Sequence, residues 1–216
     1  MKHLLLILSF AAFISCDKDC DPEIVSRTLT LQPGSEGKDA FVSSYSGDMS
    51  NNHGTDTDFP LYAWTISSTN YKTRSFIEFD LSTIPSDATI ESAKLSFYSF
   101  HAFPYPPSSE GHQGTNSFYI RRVTSTWEET TLIWNNQPST TTDNQIIIPQ
   151  TTSPNQDFTD IDVTTLIRNI ISSGTNHGLS LSLVNEEPYA YLGMGSSDQS
   201  NPTRRPKLIV EYSYTD

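Results

Sequence analysis

Two runs of alternating apolar and polar residues within residues 74–100 limit what this chain can fold into. In the first, Ile77, Phe79 and Leu81 alternate with Glu78 and Asp80; in the second, Ala93, Leu95 and Phe97 alternate with Lys94, Ser96 and Tyr98. Successive side chains on a strand point to opposite faces, so each run predicts a strand with one buried and one wet face. The residues between them, STIPSDAT with Pro85, are turn formers too few for a helix. Parallel sheets bury both faces, so half-wet strands imply a mainly antiparallel sheet. Its buried face needs a cover, and most of the remaining chain offers further strands. The fold class expected is all-β: a jelly-roll-like antiparallel β-sandwich with one short helix.

The other expected strands cover 27–32, 39–43, 61–67, 118–123, 145–149, 178–184, 189–193 and 207–214. The stretch 68–73 reads as a connection. The helix is expected over 163–173, capped by Asp162, carrying Leu166, Ile167, Ile170 and Ile171 on one face and ended by Gly174. Residues 44–58 and 101–116 are rich in turn formers and read as long loops, the kind that tend to be functional or mobile. No internal repeat divides the chain, so 27–216 reads as one domain.

Several blocks resemble one family. RSFIEFDLSTIP at 74–85 with IESAKL at 90–95, DAFV at 39–42 with NHG at 52–54, IRRVTSTWEETTLIWNNQP at 120–138, DVTTLI at 162–167 and RPKLIVEY at 205–212 look like the core of DNRLRE-type modules. These are β-sandwich domains related to disaggregatase and to a family of carbohydrate-binding modules. The resemblance implies a sandwich, a glycan-binding role and kinship with modules associated with alginate-type polysaccharides. In it Trp127 and Trp134 take structural positions.

Residues 1–15 read as a lipoprotein signal: Lys2 opens it, an apolar run too short to span a bilayer follows, and Phe13-Ile14-Ser15-Cys16 resembles a lipobox. Cys16 is then the lipid anchor and 16–26 an acidic tether. The protein is expected on a membrane, at the outer membrane and exposed on the cell surface. The alternative is an ordinary cleaved signal with an incidental cysteine. Cys20, the other of two cysteines, has no intrachain partner once Cys16 carries lipid. With residues 1–15 removed, 12 Lys and Arg face 25 Asp and Glu, a net charge of −13. Such acidity excludes nucleic acid as the expected partner, since phosphate binding needs a basic face.

No Ser-His-Asp spacing, HExxH or phosphate loop is present, so the chain is not expected to be an enzyme. Sugar binding relies on aromatic faces with polar neighbours. Tyr62 and Trp64 share one face of the 61–67 strand, a stacking platform if wet and core if dry. Tyr98 shares the polar face of the second central strand with Lys94. Phe103 and Tyr105 sit in the Pro-rich loop, and Lys72, Arg74, Lys94, Arg121 and Arg122 are expected to line one wet face. Such a face suits a uronic-acid polysaccharide; the alternative is cross-strand pairing with Glu78 and Glu91. Asp39, Asp48, Asn52, Asp56 and Asp58 offer the hard oxygens calcium takes in sixes to eights, so a structural calcium is weighed against a solvated acidic loop. The function expected is a surface-anchored, non-catalytic polysaccharide-binding module. A structural or adhesion lipoprotein binding protein or matrix is the alternative, ahead of a polysaccharide lyase or hydrolase.

Overall fold

The computed structural model describes residues 22–100 and 111–215; Cys16, Cys20, Phe103 and Tyr105 lie outside them. The described residues form eleven strands: β1 (Ile24–Leu31), β2 (Lys38–Ser43), β3 (Leu61–Ile66), β4 (Thr69–Glu78), β5 (Thr89–Phe97), β6 (Phe118–Val123), β7 (Thr140–Ile148), β8 (Phe158–Asp162), β9 (Leu179–Leu183), β10 (Ala190–Leu192) and β11 (Lys207–Thr215), with one α-helix, α1 (Thr164–Ser173). A four-stranded sheet runs β1-β11-β5-β8. A seven-stranded sheet runs β10-β3-β4-β9-β6-β7, with β2 also on β4. Every pairing is antiparallel. The chain is therefore the all-β sandwich that the alternating runs imply.

The main core lies between the sheets. Ala93, Leu95 and Phe97 of β5 and Leu208 and Val210 of β11 face Ile77 of β4, Phe118 and Ile120 of β6, and Leu179, Leu181 and Leu183 of β9. The helix adds Leu166, Ile167 and Ile170 to the same core. Its start is held by Asp162, whose carboxylate accepts from the Thr164 N–H at 3.0 Å. Its end is the left-handed Gly174 (φ 66°), which donates to the Ile171 carbonyl and takes a conformation that costs glycine little.

Four differences from the expected elements have physical causes. β7 begins at Thr140, not 145, because its pairing with β6 runs on to Val123↔Thr140. β1 begins at Ile24, not 27, because the register with β11 runs out to Ile24↔Thr215. Residues 69–73 belong to β4, because Ser67 and Ser68, both with positive φ (48° and 67°), close a two-residue hairpin from β3. That turn normally announces itself through Asn-Gly or Asp-Gly, and two serines give no such signal. β8 was not expected at all: only Phe158 of its five residues is buried, so it shows no alternation.

β4 is buried on both faces. Phe76 and Ile77, consecutive, are 2% and 1% exposed. Ile77 enters the main core, whereas Phe76 joins a second core with Ala40, Val42, Val123, Trp127 and Leu132. The segment 124–138 therefore folds over part of the outer face of the seven-stranded sheet. Trp127 anchors it, with ring centroids 6.1 Å from Phe76 and its Nε1 donating to the His177 carbonyl at 3.0 Å. Trp127→Ala is expected to destabilise the domain by about 3–5 kcal/mol, read as a lowered denaturation midpoint. A loss under about 1 kcal/mol would show that the cover does not depend on this ring.

Candidate functional site

Where that cover stops, at Gln137 and Pro138, the outer face of the seven-stranded sheet lies open as a trough of about 390 Å³. The alternation LSLSL in β9 shapes it. Leu179, Leu181 and Leu183 turn inward, so small Ser180 and Ser182 form the floor. Ser182 sits opposite Tyr119 and Ser180 opposite Arg121 on β6, which rise as one wall. Arg74 of β4, Glu186, Gln137 and Pro138 form the other.

Both walls are braced. The Arg121 guanidinium lies 4.1 Å from the Tyr119 ring centroid, and its Nε donates to Gln145 Oε1 at 2.8 Å. Arg74 grips Glu186 with two donors, Nε to Oε1 at 2.8 Å and Nη2 to Oε2 at 3.0 Å, and lies over the half-buried Trp134 ring. Lys72 pairs with the same carboxylate. Burial pushes the Glu186 carboxyl up, but Arg74 and Lys72 outweigh it and hold it below its ordinary range. Among the ion pairs of the described residues, none involves Arg121. Lys72, Arg74 and Arg121 against Glu186 leave this face locally positive by two, on a chain of net charge −12.

The expected binding residues do not all meet here. Arg121 lines the trough, whereas Lys94 and Tyr98 belong to the other sheet's strand and its end; Lys94 is paired with Asp162 at 3.0 Å. Thr164, then Lys94, lower the Asp162 carboxyl to about 2. Arg122 shares its sheet face with the inward Ile120 and lies near the end of α1, beside Asn169 and Ser173. One wet face therefore does not carry all five basic residues. Tyr62 is half-buried among the rings of Tyr71 and Tyr191, at 5.5 and 5.9 Å, and desolvation raises its hydroxyl far above the usual range. Trp64 is half-buried, its ring edge-on to Tyr189, which is 61% exposed. Sequence reading missed Tyr119, Ser180 and Ser182, although the alternation within β6 and β9 already sets them on the polar face.

The model of carbohydrate-binding module family 96 matches residues 31–212, from the end of β1 into β11. Comparison with curated proteins finds no match.

The expected calcium ligands divide into separate groups. Asp48 and Asp56 flank His53, at 3.1 Å from Nε2 and 2.8 Å from Nδ1, so the imidazole stands between them. The Asn52 amide donates to the carbonyls of Glu129 and Leu132. Asp39 meets Glu129 and Asp198 instead. Burial, then repulsion from Asp56, pushes the Asp58 carboxyl up to about 6. Its proton is held more tightly in the folded state than in the unfolded chain, where a carboxyl titrates near 3.9. The native state thus binds more protons between about pH 4 and pH 6, and stability falls as pH rises through that window. Asp58→Asn is expected to raise the melting temperature at pH 7.5, by at most about 3 kcal/mol of stability, with the gain vanishing near pH 4. Thermal unfolding at both pH values checks this, and an equal shift at both would contradict it.

Proposed function

The chain belongs to carbohydrate-binding module family 96, and from that premise we propose that it is a non-catalytic polysaccharide-binding module whose ligand lies in the trough of the seven-stranded sheet. The observation that carries this reading is the pairing of Tyr119 with Arg121 above a serine floor. A pyranose ring stacks on an aromatic face through its C–H groups, and its hydroxyls need polar partners around the rim. Arg121 backs one face of Tyr119, so the sugar takes the other, with Ser182 and Gln137 within the same trough. The trough is open and shallow, which suits a length of polymer.

Charge narrows the class. Arg121 has a planar donor fork and no carboxylate partner among the described residues, so it can take one from a ligand as a charge-assisted pair. A polysaccharide carrying uronic acids supplies that carboxylate, consistent with the alginate-type glycans linked to the related modules. The local positive field attracts such a polymer in spite of the acidic whole.

Retention by immobilised neutral and uronic-acid polysaccharides, using the full-length chain, tests the site. Arg121→Ala is expected to weaken retention of uronic-acid polymers about tenfold or more, the scale of one lost charge-assisted hydrogen bond. Tyr119→Ala weakens every retained polymer. A larger loss at Trp64→Ala than at Tyr119→Ala would move the stacking surface to the Trp64–Tyr189 pair. A wild type that retains nothing overturns the reading in favour of adhesion, and a polymer that shortens during incubation overturns its non-catalytic part.

The module works at the membrane if Cys16 carries lipid, the second part of the proposal. Its supports are the lipobox-like run before Cys16 and the short stretch between Cys16 and the first residue of β1. Such a tether holds the domain close to the bilayer and keeps a captured polymer within reach of enzymes on other chains. Cys16→Ser is expected to abolish fatty-acid labelling and to move the folded protein from the membrane pellet to the soluble fraction. A variant that still labels and pellets would refute the anchor.

A further inference from the structure

Among the described residues, one carboxylate oxygen from each of Asp39, Glu129 and Asp198 lies within 4.8 Å of the other two. They come from separate parts of the chain: the start of β2, the turn that follows Trp127, and the segment before β11. Asp39 is 2% exposed. None of the three takes part in an ion pair of the described residues. Lys38, the cation felt by Glu129, spends its ammonium on Glu78 at 2.9 Å and on the Trp127 ring. Three acids with no ion pair among the described residues, one of them buried, repel one another and lose solvation; Arg205, the cation felt by Asp198, gives its Nε to the Gln199 carbonyl.

Ser197 supplies an independent pointer. It is 0% exposed, and its Oγ has no hydrogen-bond partner among the described residues. Its N–H donates to Asp39 Oδ2 at 2.7 Å. Its N–H and its hydroxyl both favour the charged form of the Asp39 carboxylate, so the hydroxyl stands beside that group. Burial pushes the Asp39 carboxyl up to about 7 in spite of Ser197, with Asp198 and Glu129 adding repulsion. A buried hydroxyl without a partner is rare in native proteins, and here it adds a neutral oxygen donor to three anionic ones. Glycines let the walls close in. A Cβ on Gly37 would stand 2.7 Å from Ser197 Oγ, and one on Gly54 would stand 2.6 Å from the Glu129 carbonyl oxygen.

We propose that Asp39, Glu129, Asp198 and the Ser197 hydroxyl form a binding site for a hard divalent cation, calcium by chemistry. All four donors are oxygens, and none is the imidazole or thiolate that zinc prefers. Donors delivered by separate turns suit the adaptable coordination of calcium better than the strict octahedron of magnesium. The ion fastens the cover segment, through Glu129, to the edge strand β2 and to the turn at Asp198. It therefore supports the Gln137–Pro138 wall of the trough from behind. The site keeps Asp39 of the expected ligand set but not its members within residues 48–58, where His53 separates Asp48 from Asp56.

The test uses the purified full-length chain, stripped with chelator, dialysed and titrated with calcium chloride by calorimetry and thermal unfolding. One calcium per chain is expected, with the melting temperature rising by about 5–10 °C at a hundredfold excess over Kd. Asp198→Asn, at a half-exposed position, should fold and lose the calcium-dependent rise. Asp39→Asn should lose it too, yet melt higher than stripped wild type, because it removes a buried carboxylate. Ser197→Ala should weaken calcium binding without abolishing it. No rise in stripped wild type, or a rise that survives both Asp198→Asn and Asp39→Asn, overturns the site. A rise abolished by Asp48→Asn and retained in Asp198→Asn places the ion in the 48–58 loop instead and equally overturns it.

Discussion

Burial of β4 on both faces is the constraint on which the rest of this structure depends. An antiparallel sandwich leaves the outer face of each sheet to water, and polar residues there cost nothing. Phe76 breaks that rule, one residue before the core residue Ile77. Two large side chains in succession on opposite faces demand two covers. The second sheet supplies one and the segment 124–138 supplies the other. Following one cross-strand row outward from the cover makes the consequence visible: Ala40 and Phe76 are dry beneath Trp127, Ser180 lies at the border, and Arg121 stands in the trough. The trough is the part of the outer face that the cover leaves free, and the cover's last residues are one of its walls.

Fold and site were legible in the sequence to different degrees, for a physical reason. Alternation at 77–81, 93–97 and 179–183 reports one-sided burial directly, so the strands, the sandwich and the helix over 164–173 could all be read. Elements that lack a one-sided pattern could not. β8 buries only Phe158, and the Ser67–Ser68 hairpin is held in its turn by tertiary pairing with no help from glycine or asparagine. For the site, alternation shows that Tyr119, Arg121, Ser180 and Ser182 face away from the main core. Whether such a face is open or covered depends on where a distant segment lies down. Arg121 stands out in the sequence by its charge, whereas nothing in the sequence marks Tyr119 among the chain's other aromatics. Lys94 was grouped with Arg121 because both flank central strands, but those strands belong to opposite sheets.

The acidic residues show the same limit more sharply. In the sequence Asp39 stands as a candidate ligand alongside residues 48–58, because proximity along the chain is the only guide there. Its partners come from far away: Glu129, 90 residues on, accepts from the Asp39 N–H, and Ser197, 158 residues on, donates to its carboxylate. A loop rich in Asp and Asn carries no instruction that its carboxylates converge, and here His53 holds two of them apart.

These features bear on how a chain of net charge −12 carries a locally positive trough. Over distances beyond about 8–10 Å, salt screens the charges of the whole, so what a ligand meets is local. Around the trough that local set is Lys72, Arg74 and Arg121 against Glu186. Glu186 is not wasted repulsion: by gripping Arg74 and Lys72 it fixes the wall's geometry, and among the described residues it leaves Arg121 as the one trough cation with no carboxylate of its own. Acidity is gathered elsewhere, at Asp39, Glu129 and Asp198 on the edge of β2. Sorting opposite charges to separate places on one scaffold lets an acidic protein carry a positive groove, and the cover segment runs between the two. Its Glu129 end belongs to the carboxylate cluster and its Gln137–Pro138 end to the trough, so what steadies the first also shapes the second.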